Sequence, residues 1–290
     1  MARLRFRYYM RLSFNENVKE HHFTLKCIPR SGDYQKITEL HREIYPNTFI
    51  SNGEDSFGNL LIYGYEASEH TCFFFDVNGV AETGKPKEEM FPKIHTGDHE
   101  PAVFYKYQTD YTRPGVRLAA YSEQMDQKKE SKEEQNQIAF AEQYYGLKLD
   151  DAGRYAICIC HRLGKDFQYK SGITMIDTTA EEAFSKGKGV CQDYAHIMIS
   201  LCRIKKIPCR YVTGMLMGEG ASHAWIEVYT NGIWLPIDPT HRIVVTDQHI
   251  KIAHGRDYND TIVNQGMFTG RVEQEQEITV IVEQLVQDGE

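Results

Sequence analysis

The first hundred residues show the alternation of apolar and polar positions that is typical of half-buried β-strands. From residue 4 to residue 12 every even position is apolar and most odd positions are arginine, and the alternation resumes at Phe23, Leu25 and Cys27. Further strands are predicted over Leu60–Tyr65, Cys72–Val77 and Ala102–Tyr107. Short strands separated by turns that contain glycine and asparagine favour an antiparallel sandwich or barrel.

The pattern changes to a helical period after Pro114-Gly115. Residues 123–137 are strongly charged and almost free of apolar side chains, which predicts either a solvated helix or a linker. Apolar residues then recur at helical spacing over 152–163, and Gly164 is a suitable C-terminal stop for this helix. A second helix with one apolar face is predicted to begin near Cys191.

Strands follow the helices. They are predicted over Tyr211–Met217, His223–Tyr229, Ile233–Ile237 and Ile278–Val282. Helices that are segregated from an antiparallel sheet are typical of an α+β domain. We therefore predict an N-terminal, β-rich, sandwich-like domain over residues 1–112 and an α+β domain over residues 113–290 that includes the C-terminal strand.

Composition narrows the possible partners. The 290 residues include 33 Lys and Arg against 41 Asp and Glu, which gives a formal charge of −8. Because phosphate contacts need clustered cations, we expect no nucleic-acid partner, and the arginine row of the first strand is interpreted as a solvated face. No apolar stretch approaches the roughly 18 residues that span a bilayer, and the N-terminus lacks the apolar segment of a signal peptide. We expect no membrane partner and a cytoplasmic location.

Seven cysteines are scattered along the chain without a CxxC pair. An odd number at irregular spacing fits neither a disulfide framework nor a zinc knuckle, so most of these thiols are expected to be small buried side chains. No EF-hand, Walker or dinucleotide-binding pattern occurs in the sequence. We therefore expect neither a metal nor a cofactor.

One cysteine has neighbours suited to chemistry. Gly187 and Gly189 lead into Cys191, which begins the second predicted helix. A helix N-terminus carries unpaired N–H groups and a partial positive charge, so it stabilises a thiolate, and the glycines let a substrate backbone approach closely. Asp193 is interpreted either as a residue that tunes this thiol or as a helix cap. His196 lies on a different helix face and is expected to be a core or rim histidine.

A thiolate nucleophile needs a base that a third group orients. Asn231-Gly232 between two β-rich runs predicts a hairpin. A two-residue turn pairs Thr230 with Ile233, so paired numbers sum to 463 and His223 becomes the diagonal neighbour of Asp238. A four-residue loop shifts the sum to 461 and places the two residues directly opposite each other. Both registers bring the histidine and the aspartate together.

These segments resemble the motifs of bacterial transglutaminase-like proteins, and the nucleophile motif is matched by Gly189–His196. The other matching segments are Ile207–Gly214, Ser222–Val228, Asp238–Thr240, Gly255–Asp260 and Gly266–Gly270. Ser56–Asn59 and the β-rich start resemble the N-terminal β domain that often precedes this core. Lys206 is a departure, since such proteins often have glycine before the Ile-Pro that follows; the position is a helix end and does not touch the site.

The resemblance implies a papain-like α+β transglutaminase core and a Cys–His–Asp triad. By motif, Cys191 matches the nucleophile, His223 the general base and acid, and Asp238 the residue that orients the imidazole. The implied reaction is acyl transfer through a thioester, which is released by water in a protease or amidase and by an amine in a transglutaminase. We slightly favour hydrolysis of a peptide or isopeptide bond in a peptide or protein substrate, without a cofactor.

Two further residues are candidates for the cleft. Tyr169 is a candidate second oxyanion donor beside the Cys191 backbone N–H, with simple packing as the alternative. Trp225 shares the strand face of His223 and is either a cleft wall or a core aromatic. A catalytically silent peptide-binding module and an N-acyltransferase are alternative functions for the same fold. Neither the natural substrate nor the oligomeric state follows from the sequence.

Overall fold

The computed structural model describes residues 1–32, 34–84 and 100–285. The strands in these ranges are β1 (Ala2–Leu25), β2 (Gln35–Tyr45), β3 (Phe49–Glu54), β4 (Leu60–Glu66), β5 (His70–Thr83), β6 (Gln168–Tyr169), β7 (Lys188–Gly189), β8 (Cys209–Leu216), β9 (Gly218–Gly220), β10 (His223–Thr230), β11 (Ile233–Asp238), β12 (Ile243–Val244), β13 (His249–Gly255), β14 (Asn264–Thr269) and β15 (Gln274–Gln284). The α-helices are α1 (Glu100–Phe104), α2 (Val116–Asp126), α3 (Lys132–Tyr145), α4 (Asp151–Asp166), α5 (Ala180–Lys186) and α6 (Cys191–Ile204), and a 3-10 helix spans Tyr258–Thr261. None of the described helices is long and apolar enough to cross a membrane.

The first strand confirms the alternation read from the sequence. The even positions from Leu4 to Phe14 are buried and the arginines between them are exposed. β1 continues well beyond residue 12, through an irregularity in its pairing with β5. After this irregularity the odd positions Phe23 and Leu25 are the buried ones. One long strand therefore replaces the two that the sequence predicts.

β1 is the central strand of the N-terminal sheet, in which every described pairing is antiparallel. β4 and β5 follow each other along one edge of β1, and β14 and β15 follow each other along the opposite edge. The strands predicted at Leu60–Tyr65 and Cys72–Val77 are confirmed. β2 was not predicted because most of its side chains are exposed on both faces, so the alternation signal is missing.

The strand predicted over Ala102–Tyr107 is wrong, because the chain forms the short helix α1 there. Its apolar run does not alternate between core and solvent: Phe104 is 64% exposed and Tyr107 is 62% exposed. Tyr105 alone is anchored, with its ring edge on to Trp234 at 5.2 Å between centroids. One buried aromatic residue in an exposed run is compatible with a helical turn.

The helical layer lies between residues 116 and 204. The charged stretch 123–137 belongs to the end of α2, a turn and the start of α3, where Ser131 and Glu134 form a capping box. α4 confirms the helix predicted over 152–163, but Gly164 does not end it, since the helix continues to Asp166. Gly164 instead admits Arg242, whose Cδ would lie 2.1 Å from an added Cβ.

The second sheet has the order β12-β11-β10-β8-β13 and packs one face on α6. The hairpin β10–β11 pairs Thr230 with Ile233 and Ile226 with Ile237, which confirms the two-residue turn. This register fixes the faces of the two strands that carry the predicted histidine and aspartate.

The C-terminal strand β15 lies in the N-terminal sheet, where it pairs with β1 from Leu4 to Phe14. The two halves also share a core, because Met215 and Ile250 of the second sheet pack in the same apolar cluster as Phe6. The division between residues 112 and 113 stays a prediction. The fold is nevertheless the predicted α+β core with a preceding β unit, and the two meet along a shared seam.

Candidate active site

Cys191 is the first residue of α6, as the sequence predicts. Asp193 caps this helix: its Oδ2 accepts a hydrogen bond from the Val190 N–H at 2.7 Å and another from the Thr174 hydroxyl at 2.7 Å. Burial raises the pKa of the Asp193 carboxyl despite these two donors. Of the two interpretations of Asp193, the structure supports the cap, and the cap fixes the backbone that presents the thiol.

The two glycines before the thiol each have a role in the local backbone. Gly187 ends α5 with a positive φ of 68°, a conformation that glycine adopts at low cost. A Cβ on Gly189 would lie 2.3 Å from Oδ2 of Asp193. The glycines thus form the turn and leave space for the capping carboxylate, and the expectation that they also admit a substrate backbone stays a prediction.

His223 and Asp238 meet as the hairpin register requires. The Nε2 of His223 lies 2.7 Å from Oδ2 of Asp238, and the imidazole lines the same cavity as Cys191. Because Nε2 faces the carboxylate, Nδ1 is the ring nitrogen left for the thiol. The three predicted residues thus come together, with His223 and Asp238 hydrogen-bonded to each other and Cys191 beside them in the same cavity.

Burial and hydrogen bonding oppose each other at the imidazole. Burial disfavours the charged ring, but the hydrogen bond with Asp238 and the nearby charges of Asp238 and Cys191 outweigh it and raise the pKa of His223 to about 10. Burial likewise disfavours the Asp238 carboxylate, yet three histidines that donate to it hold its pKa well below the usual range. Asp238 is thus a carboxylate and His223 an imidazolium at neutral pH.

Two histidines that sequence reasoning missed also bind Asp238. His241 donates from Nδ1 to Oδ2 at 2.7 Å, and the buried His249 donates from Nε2 to the same oxygen at 3.0 Å. Oδ1 accepts the backbone N–H groups of Thr240 and His241 at 3.0 and 3.2 Å. The turn Asp238-Pro-Thr-His carries a local signal for His241, whereas β13, which carries His249, was not predicted.

Trp225 is completely buried and packs behind His223. Its ring stacks on His223 with 6.2 Å between centroids and meets His249 edge to face at 5.1 Å. Its Nε1 donates to the hydroxyl of Tyr34 at 3.2 Å. Of the two alternatives for Trp225, the structure supports the core aromatic, and the expectation that it forms a cleft wall is wrong.

Tyr169 lies on β6, which runs parallel to β7 immediately before the thiol. The N–H groups of Gln168 and Lys170 donate to β7 at 3.0 and 2.8 Å, so the intervening N–H of Tyr169 points away from that strand. Burial and then the nearby charge of Cys191 raise the pKa of its phenol. The residue is thus close to the thiol, and its place in an oxyanion hole stays a prediction.

His196 is buried in the core, as expected. Its Nε2 accepts the Tyr258 N–H at 3.2 Å, and burial together with the charge of Arg203 lowers its pKa to about 3. It is therefore a neutral residue of the interior and faces away from the reaction centre.

The N-terminal sheet forms one wall of the cleft. Tyr8 and Met10 of β1 and Ile278 of β15 line the same cavity of about 250 Å³ as Cys191 and His223. Ser222, the residue before the histidine, lines this cavity with the tyrosine. No sequence signal separates this wall from the rest of the alternating strand, so sequence reasoning could not find it.

One set of side chains at the site could hold a metal ion. A ligand atom each from His223, Asp238 and His241 lie within 4.8 Å of one another, a combination that suits a divalent zinc ion. The same atoms form the hydrogen bonds of His223 and His241 to Asp238. An ion here would displace those bonds and not add to them.

A thiol at a helix start, facing a histidine and an aspartate on an antiparallel sheet, is the arrangement of a cysteine-protease-like fold. Residues 138–239 match the model of the transglutaminase-like superfamily, and residues 4–82 match that of the bacterial transglutaminase-like N-terminal region. The chain belongs to the transglutaminase-like superfamily and carries the N-terminal region of its bacterial members.

Relatives extend this similarity over the whole chain. A protein of Mycobacterium leprae with no assigned function is 27% identical over 94% of this chain and 92% of its own length. A Mycobacterium tuberculosis protein, also without an assigned function, is 35% identical over 35% of this chain and 38% of its own length. The crystal structure of a Cytophaga hutchinsonii protein, named as a candidate cysteine protease, superposes with a TM-score of 0.69 at 20% identity and covers all of this chain and 93% of that one. This likeness shows the fold.

Proposed function

We propose that the protein is a cysteine-dependent acyl-transfer enzyme that acts on peptide, isopeptide or carboxamide bonds. The observation that supports this is the hydrogen-bonded pair of His223 and Asp238 beside Cys191 in one cavity, with the cysteine at the start of α6. An imidazolium beside the sulfur and a helix N-terminus beneath it both favour the thiolate. The resting site is then a thiolate–imidazolium pair that the buried carboxylate orients.

The reaction follows from these positions. The Cys191 thiolate attacks the carbonyl carbon, and the resulting oxyanion faces the backbone N–H of Cys191, a first-turn group without an acceptor inside the helix. The N–H of Tyr169 is our candidate for the second donor. His223 then gives its proton to the leaving amine, the C–N bond breaks and a thioester remains. An incoming water loses a proton to His223 and releases the acid.

The cleft favours water over an amine as the acceptor. A lysine side chain that approaches a thioester is held best by a carboxylate near the entrance. Among the described residues, no Asp or Glu lines the catalytic cavity or the groove beside it. We therefore propose hydrolysis of a peptide or protein substrate, and transfer to an amine or from an acyl carrier is the alternative that the test distinguishes.

The test is active-site labelling followed by product analysis. A biotinylated peptide vinyl sulfone is expected to label Cys191 stoichiometrically in the wild type, and not in Cys191→Ala or His223→Ala. Cys72 is the other cysteine that is not fully buried, so Cys72→Ser is the matched control and retains the label. Labelling that persists in Cys191→Ala would contradict the proposal. Labelling of His223→Ala at the wild-type level would also contradict it and would favour the catalytically silent binding module. Added amines that become incorporated into product would show transfer in place of hydrolysis.

A further inference from the structure

The edge of the N-terminal sheet beside the catalytic cavity is only partly covered. β1 pairs with β15 on one side, whereas on the other side β9 covers only Val280–Val282. Within residues 1–32, 34–84 and 100–285, no strand pairs with the outer edge of β15 before Val280 or with the outer edge of β14. Such an edge presents unpaired N–H and C=O groups that an extended chain can join.

The register identifies the backbone groups that point outwards. The Asn15 N–H donates to the Glu273 carbonyl at 3.2 Å, so the odd-numbered residues of this segment direct their backbone groups towards β1. The even-numbered residues Gln276 and Ile278 therefore direct theirs away from β1. Val280 has the same parity, and it is the residue at which β9 begins to pair.

The residues that carry these outward groups line the candidate site. Gln276 and Ile278 line the cavity of about 250 Å³ that holds Cys191 and His223. Gln276 also lines an adjoining groove of about 850 Å³, which continues along β14. β9 leaves the sheet at Gly220, and the chain enters β10 at His223, so the cavity lies in the fork between the two sheets. A strand added to β15 in line with β9 would therefore end beside the thiol.

Beyond the pair of Cys191 and His223, the lining of this fork is poor in charged side chains. Among the described residues, no Asp, Glu, Lys or Arg lines either the cavity or the groove, although 26% of the chain is charged. Instead the groove presents amide, aromatic and thioether side chains, including Gln265, Gln274, Gln276, Tyr63, Tyr258 and Met267. By contrast, a cavity of about 1030 Å³ elsewhere is lined by several cations, among them Arg30 and Arg256. A charged substrate side chain would lose its hydration in the groove without gaining an ion pair.

We propose that the substrate is an extended, uncharged peptide segment that binds as an additional strand on the free edge of β15 and reaches into the groove beside β14. Backbone hydrogen bonds to Gln276 and Ile278 would hold the segment, and the amide and aromatic lining would select its side chains. The inference rests on the proposed function and names its substrate class. A folded segment has no free backbone to pair with β15. A strongly charged segment does not suit the groove lining.

The first test changes the peptide backbone. Alternate residues of an added strand donate to the sheet, so N-methylation blocks pairing at one parity and leaves the other intact. Uncharged hexapeptide vinyl sulfones, methylated at two residues of one parity, are expected to label Cys191 about thirtyfold more slowly, since each of the two lost hydrogen bonds costs about 1 kcal/mol. Methylation at the other parity should change the rate less than about twofold. Replacement of two side chains by Glu or Lys should also slow labelling.

The second test changes the protein. Gln276→Pro removes one outward N–H from an edge position where proline is tolerated, whereas Gln276→Ala keeps that N–H and removes only the side chain. Labelling by the unmethylated peptide should fall further in Gln276→Pro than in Gln276→Ala, and the difference between the two variants is the contribution of the backbone N–H. Thermal unfolding checks that the proline variant is folded, and the methylated peptides on the wild-type protein do not depend on it.

The outcomes separate the two proposals. Peptide labelling that is equal for both methylation parities, or equal for charged and uncharged peptides, would overturn strand addition. If iodoacetamide still alkylates Cys191 rapidly in that case, the proposed function stands and the substrate class is wrong. If Cys191 reacts slowly with iodoacetamide as well, the proposed function itself fails.

Discussion

His249 donates a hydrogen bond from Nε2 to Oδ2 of Asp238 at 3.0 Å from a completely enclosed position on β13. Burial lowers the pKa of this histidine, so the ring is neutral, and within the described part of the chain its Nδ1 has no hydrogen-bond partner. The neutral ring therefore has one N–H group, and this group donates to the Asp238 carboxylate. His249 is a positioning residue for the group that orients His223.

Replacing His249 should weaken the triad without touching the reacting atoms. In His249→Phe the carboxylate loses one donor of a charged hydrogen bond, so the rate of Cys191 labelling should fall about tenfold. His249→Gln restores an N–H donor and should recover much of the rate. Labelling kinetics in the three proteins, with thermal unfolding as a check on folding, decide the point. A phenylalanine variant as fast as the wild type would show that His249 only fills space.

Gly189→Ala should disturb the thiol through its neighbour. The new Cβ would lie 2.3 Å from Oδ2 of Asp193, so the capping carboxylate must leave the Val190 N–H. Loss of a helix cap costs about 1 kcal/mol, which lowers the unfolding temperature by about 2 °C in a chain of this size, and the displaced cap should slow labelling of Cys191. Calorimetry on Gly220→Ala is the control, because a Cβ there meets nothing within 4 Å. Equal unfolding temperatures in both variants would refute the steric explanation.

Stability should depend on pH through His223. Its pKa is about 10 in the folded protein and about 6.5 in the unfolded chain. A pKa raised on folding contributes stability that is complete below about pH 6.5 and is lost as the pH rises through about 10. The difference in free energy of unfolding between the wild type and His223→Asn should therefore shrink over that range. Denaturant titrations at a series of pH values measure it, and a constant difference would contradict the account.

Zinc should inhibit the enzyme reversibly. His223, Asp238 and His241 together offer three ligand atoms, and an ion bound there would break the bond between His223 and Asp238. Chelation should restore labelling of Cys191, while Mg²⁺, which prefers oxygen ligands, should have little effect. His241→Ala removes one ligand, so inhibition of this variant should need about tenfold more zinc. Equal zinc sensitivity in the variant would place the ion elsewhere, for example on the thiol alone.

The elements that could be predicted from the sequence are those whose signals are local. The alternation of β1, the period of α4 and the Asn231-Gly232 turn each depend on neighbours in the chain, and the structure confirms all three. The turn then determines the register, and the register brings His223 to Asp238. This is why the sequence alone predicts that His223 and Asp238 lie together.

The parts that were missed depend on contacts between distant segments. Gly164 looks like a helix stop until Arg242, far along the chain, is seen to pack on it. His249 reaches Asp238 only because β13 joins β8 in the second sheet. The cleft wall of Tyr8 likewise exists because the N-terminal sheet packs against the α+β core. No pattern within one segment encodes these relationships.

The central claim is that His223 keeps Cys191 as a reactive thiolate at neutral pH. Its most direct test is the rate of Cys191 alkylation by iodoacetamide between pH 5 and 9, assigned by mass spectrometry, in the wild type and in His223→Ala. The account predicts rapid alkylation at pH 6 that changes little up to pH 8, and in the variant a rate at pH 6 that is at least about tenfold lower and rises steeply with pH. Slow alkylation at pH 6 in both proteins, with the same rise towards alkaline pH, would contradict it.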